Sequence, residues 1–432
     1  MYREISKLIM YGDMDKDCIL YQFGEIFRHY ENKTKDQAQL IQDIYTQVKR
    51  LLVVATDYGF DHNLWHNYLA FYLVTNENPF SITCEKVGAN DGSVNHFAKN
   101  DFTVIKNLFD YDFSKIEADL GIDCFSQLSD YHAIQKKELM YNKNVSEKII
   151  ALSAQLEAAE DVDAFFAAVT GFYKDYGVGM FGLNKAFRIK EKDGGDVEFV
   201  AINNMDKVML DDLIGYEIQK KKLVDNTKAF VEGRAANNVL LYGDAGTGKS
   251  STVKAIANEF AADGLRLVEV KKNQLYQIPD LMDKLAANPL KFILFIDDLS
   301  FTANDDNFAA LKAILEGSVG GRARNIAVYA TSNRRHLIKE TLSDRTGDDI
   351  HEADTRQELM SLSARFGLTV TFQRPEKARF EVILTELAKQ HGIEMPHDEL
   401  LTKAEAFAIR AGGRSPRVAK QFIEQCAAGV QK

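Results

Sequence analysis

The chain has 432 residues, 46% of them hydrophobic and 27% charged, with a formal net charge of −10. That length predicts about two or three domains, and the balance of residue types excludes a disordered polymer. The acidic excess argues against broad electrostatic capture of nucleic acid, which needs many Lys and Arg facing phosphates, while leaving room for a local basic patch.

No apolar run is long enough to span a bilayer. The opening Met1-Tyr2-Arg3-Glu4-Ile5 begins a mixed-charge amphipathic stretch rather than a signal peptide, so a cytoplasmic location without membrane insertion is expected. Cys18, Cys84, Cys124 and Cys426 are scattered without a C-x-x-C pair, which points to free thiols rather than a zinc ribbon or a disulfide framework.

From the start to about Asn203 the chain reads as mainly helical. Leu20 to Phe27 and Leu40 to Val48 repeat apolar residues at three and four, and Ser146 to Glu160 predicts another amphipathic helix. Asn76 to Pro79 and Gly88 to Ser93 read as loops. His62 and His66 would share a helical face, but no third ligand and no following glutamate support a metal site, so they read as packing or surface histidines. Near Phe187 the pattern turns to alternation, with Phe187 to Lys190 and Val197 to Ile202 flanking Asp193-Gly194-Gly195. A β-hairpin over 187–204 is expected to connect a helical domain at 1–186 to a second domain that begins at about Met205.

The next segment, Leu210-Asp211-Asp212-Leu213-Ile214-Gly215-Tyr216-Glu217, alone signals a helix cap. It precedes the loop that dominates the sequence, Gly243-Asp244-Ala245-Gly246-Thr247-Gly248-Lys249-Ser250, set between the apolar run Val239 to Tyr242 and a helix from near Ser251. The spacing G-x-x-x-x-G-K-[ST] in a strand–loop–helix context turns backbone N–H groups toward phosphate oxygens, and the helix N-terminus adds its dipole. Lys249 then reaches the β- and γ-phosphates, and the Ser250 hydroxyl is placed to ligate Mg²⁺.

After a strand at Leu265 to Val270 and a helix at Pro279 to Ala287 comes Phe292-Ile293-Leu294-Phe295-Ile296-Asp297-Asp298. A buried strand ending in acids about fifty positions after a phosphate loop is the second half of an ATPase signature. Asp297 is the Mg²⁺ residue, and Asp298 is the group that polarises an attacking water. A helix at about Phe308 to Leu315 and a basic glycine-rich stretch, Gly317 to Arg324, lead to the strand Ile326 to Thr331, which ends in Ser332-Asn333 and is followed by Arg334-Arg335-His336. Arg365-Phe366-Gly367 precedes a last strand, Leu368 to Phe372. Helices at Lys377 to His391, Leu400 to Arg410 and Ser415 to Ala427 then form a small lid, the last one opened by Gly412-Gly413-Arg414-Ser415-Pro416-Arg417.

These motifs together, from about Asp211 to Ala427, resemble the AAA+ ATPases. Leu241 to Ala255, Phe295 to Phe301, Ala330 to Leu337 and Gly412 to Ser415 resemble an uncharacterised bacterial family of predicted AAA+ ATPases. The resemblance implies an α/β P-loop NTPase core over 205–374, a five-stranded parallel sheet flanked by helices, with a helical lid over 375–432. It implies Mg-ATP held by Gly243, Asp244, Ala245, Gly246, Thr247, Gly248, Lys249, Ser250 and Ser251, with Ile214, Gly215 and Tyr216 around the base. It makes Asn333 the first sensor, Arg417 the second with Arg414 as its rival, and Arg365 an arginine finger acting in trans, with Arg345 and Arg356 as rivals.

Many AAA+ proteins carry glutamate where Asp298 stands. The shorter aspartate predicts slow intrinsic turnover, and the Asp-Asp ending resembles the branch that holds bacterial replication initiators and helicase loaders. The expected activity is ATP hydrolysis by a homo-oligomer, a hexamer or an open arc, that remodels a protein or nucleoprotein client recruited by the helical N-terminal region. The alternative is an ATP-gated clamp, loader or switch in which hydrolysis is slow and incidental. Lys271 to Gln277 lacks the aromatic-hydrophobic-glycine grip of a threading unfoldase, and no helix-turn-helix follows the lid.

Overall fold

The computed structural model describes residues 1–133, 143–191, 197–203, 205–286, 288–300, 310–312, 314–315, 324–333 and 365–429. They form two compact units, Met1–Asn184 and Lys185–Lys432. Among the described residues no helix is long and apolar enough to cross a membrane.

The first unit is helical, as its three-and-four periodicity predicts. Its longest helix, Gln37–Tyr58, starts where the Asp36 carboxylate accepts the Gln39 N–H and ends at the left-handed Gly59. Phe23, Trp65, Phe102 and Phe165 are buried in one core, and the indole of Trp65 donates to the carbonyl of Leu108 at 2.7 Å. His62 precedes the helix Leu64–Thr75 that holds His66. His62 is exposed beside Asp61, whereas a ring nitrogen of His66 lies 2.9 Å from the Phe109 carbonyl. The two histidines therefore do not form a pair.

The second unit is built on one seven-stranded sheet of β1 (Ala186–Glu191), β2 (Val197–Ala201), β3 (Val239–Gly243), β4 (Leu265–Glu269), β5 (Lys291–Ile296), β6 (Ile326–Ser332) and β7 (Leu368–Phe372), in the spatial order β2-β1-β4-β5-β6-β3-β7. The five strands β4-β5-β6-β3-β7 are parallel. β6 is buried at every position and β5 at all but its first, which explains the apolar runs Phe292 to Ile296 and Ile326 to Ala330: a parallel strand buried on both faces has no polar side. This is the five-stranded parallel α/β core that the sequence predicts. Its helical lid, Lys377–Gln390, His397–Arg410 and Pro416–Ala427, has a separate small core of Phe380, Ile383, Leu384 and Phe422.

The hairpin differs from its expected place as a connection. β1 pairs antiparallel with β2 and also parallel with β4, with Ala186 opposite Leu267. It thereby widens the expected five strands to seven. The physical reason is that Phe187 and Ile189 alternate with polar Arg188 and Lys190, so the hairpin has an apolar face to bury, and both apolar side chains are buried in the sheet.

One polar group carries much of the first unit's tertiary order. Asp101, fully buried, accepts the N–H groups of Ile9, Met10 and Tyr11 at 2.7–3.0 Å. Replacing it leaves those donors without their acceptor. Asp101→Ala is expected to lower the unfolding free energy of this unit by about 3 kcal/mol in urea titration; a loss below about 0.5 kcal/mol would contradict the role given to this carboxylate.

Candidate functional site

The register of the sheet assembles the site. β3, β5 and β6 are parallel, so their C-terminal ends lie on one edge. Tyr242 pairs with Ser332, and Ile296 pairs with Ala330. One step further along each strand, Gly243 comes level with Asn333 and Asp297 with Thr331. The backbone continues from Gly243 through a loop whose glycines are each required. Gly243 has φ +137° and lies so close to β7 that a Cβ would sit 2.0 Å from the Phe372 carbonyl oxygen, while Gly246 and Gly248 have φ of +76° and +95°. Gly248 caps the helix Lys249–Glu259, whose first N–H groups have no intrahelical acceptor and face the loop.

Lys249 is buried, and its Nζ donates to the carbonyls of Gly243 at 2.9 Å and Asp244 at 2.7 Å and to Oδ1 of Asn333 at 3.0 Å. Burial pulls the Lys249 ammonium below the usual lysine range; Asp244, Asp298 and Asp297 oppose that shift by favouring the charge. Asn333 uses its other end, donating from Nδ2 to Asp298 Oδ1 at 2.7 Å. Asp297 Oδ1 accepts from the Ser250 hydroxyl at 2.6 Å and the Thr331 hydroxyl at 2.5 Å. Lys249, Asn333, Asp298, Asp297 and Ser250, scattered over 85 positions from 249 to 333, thus meet in one hydrogen-bonded group.

Thr331 is a member that sequence reasoning missed. Its hydroxyl donates to Asp297 and accepts the Asp298 N–H at 2.9 Å, so it holds both acids from behind. Asp298 has φ +51°, a left-handed conformation that aspartate tolerates better than bulky residues do. The signal was present in the sequence: Thr331 and Asn333, two apart at a strand end, face the same side.

A cavity of 640 Å³ adjoins Gly246, Thr247, Gly248 and Ser251 and runs to Ile214, Gly215 and Tyr216. Its volume falls in the ordinary range for a small-molecule site. Ile383 and Leu387 of the lid form part of its apolar wall. Tyr216 is held inward, its hydroxyl donating to the Gln373 carbonyl at 2.6 Å, and burial pushes its pKa up to about 12. Sequence reasoning also missed the wall at 206–208, which no motif marks. Asn258 Nδ2 of the phosphate-loop helix holds it by donating to the carbonyls of Asp206 at 2.8 Å and Val208 at 2.9 Å.

The two lid arginines part company. Arg417 lines the cavity, and its backbone N–H donates to the Gly246 carbonyl at 3.1 Å. Arg414 is engaged within the lid, its Nε donating to Glu405 Oε1 at 2.7 Å. Ser415 caps this helix by accepting the Val418 N–H, with Pro416 at the first position. Arg365 lies ahead of β7, where Leu368 pairs with Val239 at the start of β3. It is therefore at the opposite end of the sheet from the glycine loop, beyond the roughly 13 Å length of the five-residue strand. The fold does not bring Arg365 to its own chain's loop. Arg334, Arg335, His336, Arg345 and Arg356 lie outside the described residues.

No curated protein matches the chain. Among solved structures, the Holliday junction branch migration motor RuvB of Thermotoga maritima is similar at 20% identity over 50% of this chain and 63% of that one, with a TM-score of 0.35. The FIGL-1 AAA domain in complex with ADP is similar at 16% identity over 52% of this chain and 74% of that one, also at 0.35. The chain thus spans less than two thirds of the length of the RuvB structure. Residues 183–430, more than half of the sequence and the whole of the second unit's sheet and lid, match the family described as "Protein of unknown function (DUF815)", and the chain belongs to that family.

Proposed function

We propose that this protein binds and hydrolyses Mg-ATP, assembles with copies of itself, and uses the cycle to remodel a protein or nucleoprotein client. The observation that carries this reading is the single hydrogen-bonded group joining Lys249, Asn333, Asp298, Thr331, Asp297 and Ser250 at the start of the helix that follows the glycine loop. The residues fit the nucleotide. The loop from Gly243 to Ser251 wraps the phosphates, and Ile214, Gly215 and Tyr216 bound the base. The Lys249 ammonium exchanges loop carbonyls for phosphate oxygens.

Ser250 and Asp297, already converging on one point, would hold Mg²⁺, which when bound neutralises phosphate charge. Asp298 orients and deprotonates the attacking water. Asn333, bonded to both Lys249 and Asp298, senses the γ-phosphate, and Arg417 approaches it from the lid. Arg365, at the far end of the sheet from its own loop, acts on the site of a neighbouring copy as an arginine finger. In this reading 1–186 recognises the client, 205–374 binds nucleotide and 375–432 is the lid.

A second reading, an ATP-gated clamp or loader with slow incidental hydrolysis, draws on one observation: the short Asp298 carboxylate is tied to Asn333 and its backbone is left-handed. Calorimetry with Mg-ATP checks the shared premise. Lys249→Ala is expected to weaken binding at least about tenfold, and unchanged affinity would sink both readings. Asp298→Asn separates them: turnover should fall about a hundredfold with ATP still bound. Loss of client remodelling then favours the motor, whereas retained or tighter client binding with function intact favours the switch.

Thr331→Val keeps the side-chain shape and removes both hydrogen bonds to the acid pair. It is expected to lower kcat about tenfold with little change in ATP affinity; an unchanged kcat would show that Asp297 and Asp298 need no support from β6.

A further inference from the structure

The phosphate loop is bonded to the lid by two routes. The direct one is the Arg417 N–H to the Gly246 carbonyl. The indirect one runs through Arg374, two residues past the end of β7. Its backbone N–H donates to Asp244 Oδ2 at 2.8 Å, and its side-chain Nη1 donates to the Gly412 carbonyl at 2.8 Å, in the turn that opens the last lid helix. The turn is shaped around this guanidinium. Gly413 has φ +124°, and a Cβ there would sit 2.6 Å from Arg374 Nη1, so a side chain at 413 would displace the arginine. On the other side, Asp244 is fixed to β7, its N–H donating to the Phe372 carbonyl at 2.9 Å. Its own carbonyl accepts from Lys249 Nζ.

We propose that Arg374 is a positioning residue that transmits occupancy of the phosphate loop to the lid, through a chain of bonds from Lys249 to Asp244, from Asp244 to Arg374 and from Arg374 to Gly412. The proposal rests on the nucleotide reading of the loop and extends it. When phosphates draw Lys249 Nζ away from the Asp244 carbonyl, Asp244 keeps its N–H bond to Phe372 but loses the tie on its carbonyl side, so it pivots about β7 and the Arg374 backbone that its carboxylate holds shifts with it. The guanidinium carries that shift to Gly412, five residues before Arg417. The lid turn then moves with the loop, and Arg417 is set over the phosphates in step with their arrival. Two discrete arrangements of one bonded chain are what coupling between sites requires.

Hydrogen–deuterium exchange on the full chain, with and without Mg-ATP, tests this. In the wild type, ATP should slow exchange at both 245–250 and 412–419. In Arg374→Ala, protection at 245–250 should persist while the ATP-dependent protection at 412–419 falls roughly fivefold or more, the loss expected for one charge-assisted hydrogen bond. Arg374→Lys, which keeps a donor for Gly412, should restore much of it. Full ATP-dependent protection of 412–419 in Arg374→Ala would overturn the proposal. So would fast exchange of the helix 377–390 in that variant without ATP, because Arg374 would then merely hold the lid folded. A wild type whose 245–250 amides ignore ATP would remove the nucleotide reading itself, and the coupling with it.

Discussion

The parallel register of β3, β5 and β6 is the constraint on which the second unit depends. It brings three strand ends to one edge and places Gly243 level with Asn333 and Asp297 level with Thr331. A slip of one residue in β6 would turn Asn333 and Thr331 to the other face and break every bond between them and the acid pair. The fully buried interiors of β5 and β6 prevent that slip, since it would require repacking two apolar faces against helices. Packing deep in the sheet thus fixes the geometry of polar groups at its rim.

Those polar groups balance a costly arrangement. A buried ammonium at Lys249 is disfavoured by desolvation, and three nearby carboxylates and the carbonyls that accept from it oppose that penalty. In the proposed function these neutral carbonyls and the Asn333 amide, weaker partners for an ammonium than anionic oxygens, are the bonds that Lys249 would exchange. Lid and loop are bonded together at Gly246 and through Arg374, so a change at the loop has a mechanical path to the lid.

Much of this was legible because the chemistry is local in sequence. The glycine spacing over 243–250 marks a tight strand-to-helix turn, and Gly243, Gly246 and Gly248 adopt the positive φ that such a turn requires. The acids at the end of β5 and the amide at the end of β6 follow apolar runs that only a buried parallel strand explains. What was hidden depends on contacts between distant segments. Thr331 gains its role only when β5 and β6 are in register, Arg374 only when the lid turn folds back on it, and the 206–208 wall only through Asn258. The hairpin's alternation announced two strands but not their neighbour, because pairing with β4 is a tertiary choice. The helical first unit was readable as amphipathic helices, yet its buried residues record packing and carry no chemical signature of a ligand.

The central claim is that the site hydrolyses ATP and is completed by a neighbouring copy. Its most direct test is steady-state ATP turnover per subunit as protein concentration is raised, for the wild type and for Arg365→Ala at matched folding. The account predicts turnover that climbs with concentration in the wild type and collapses in the variant while ATP binding is kept. Turnover that is independent of concentration, and equal in the two proteins, would contradict it.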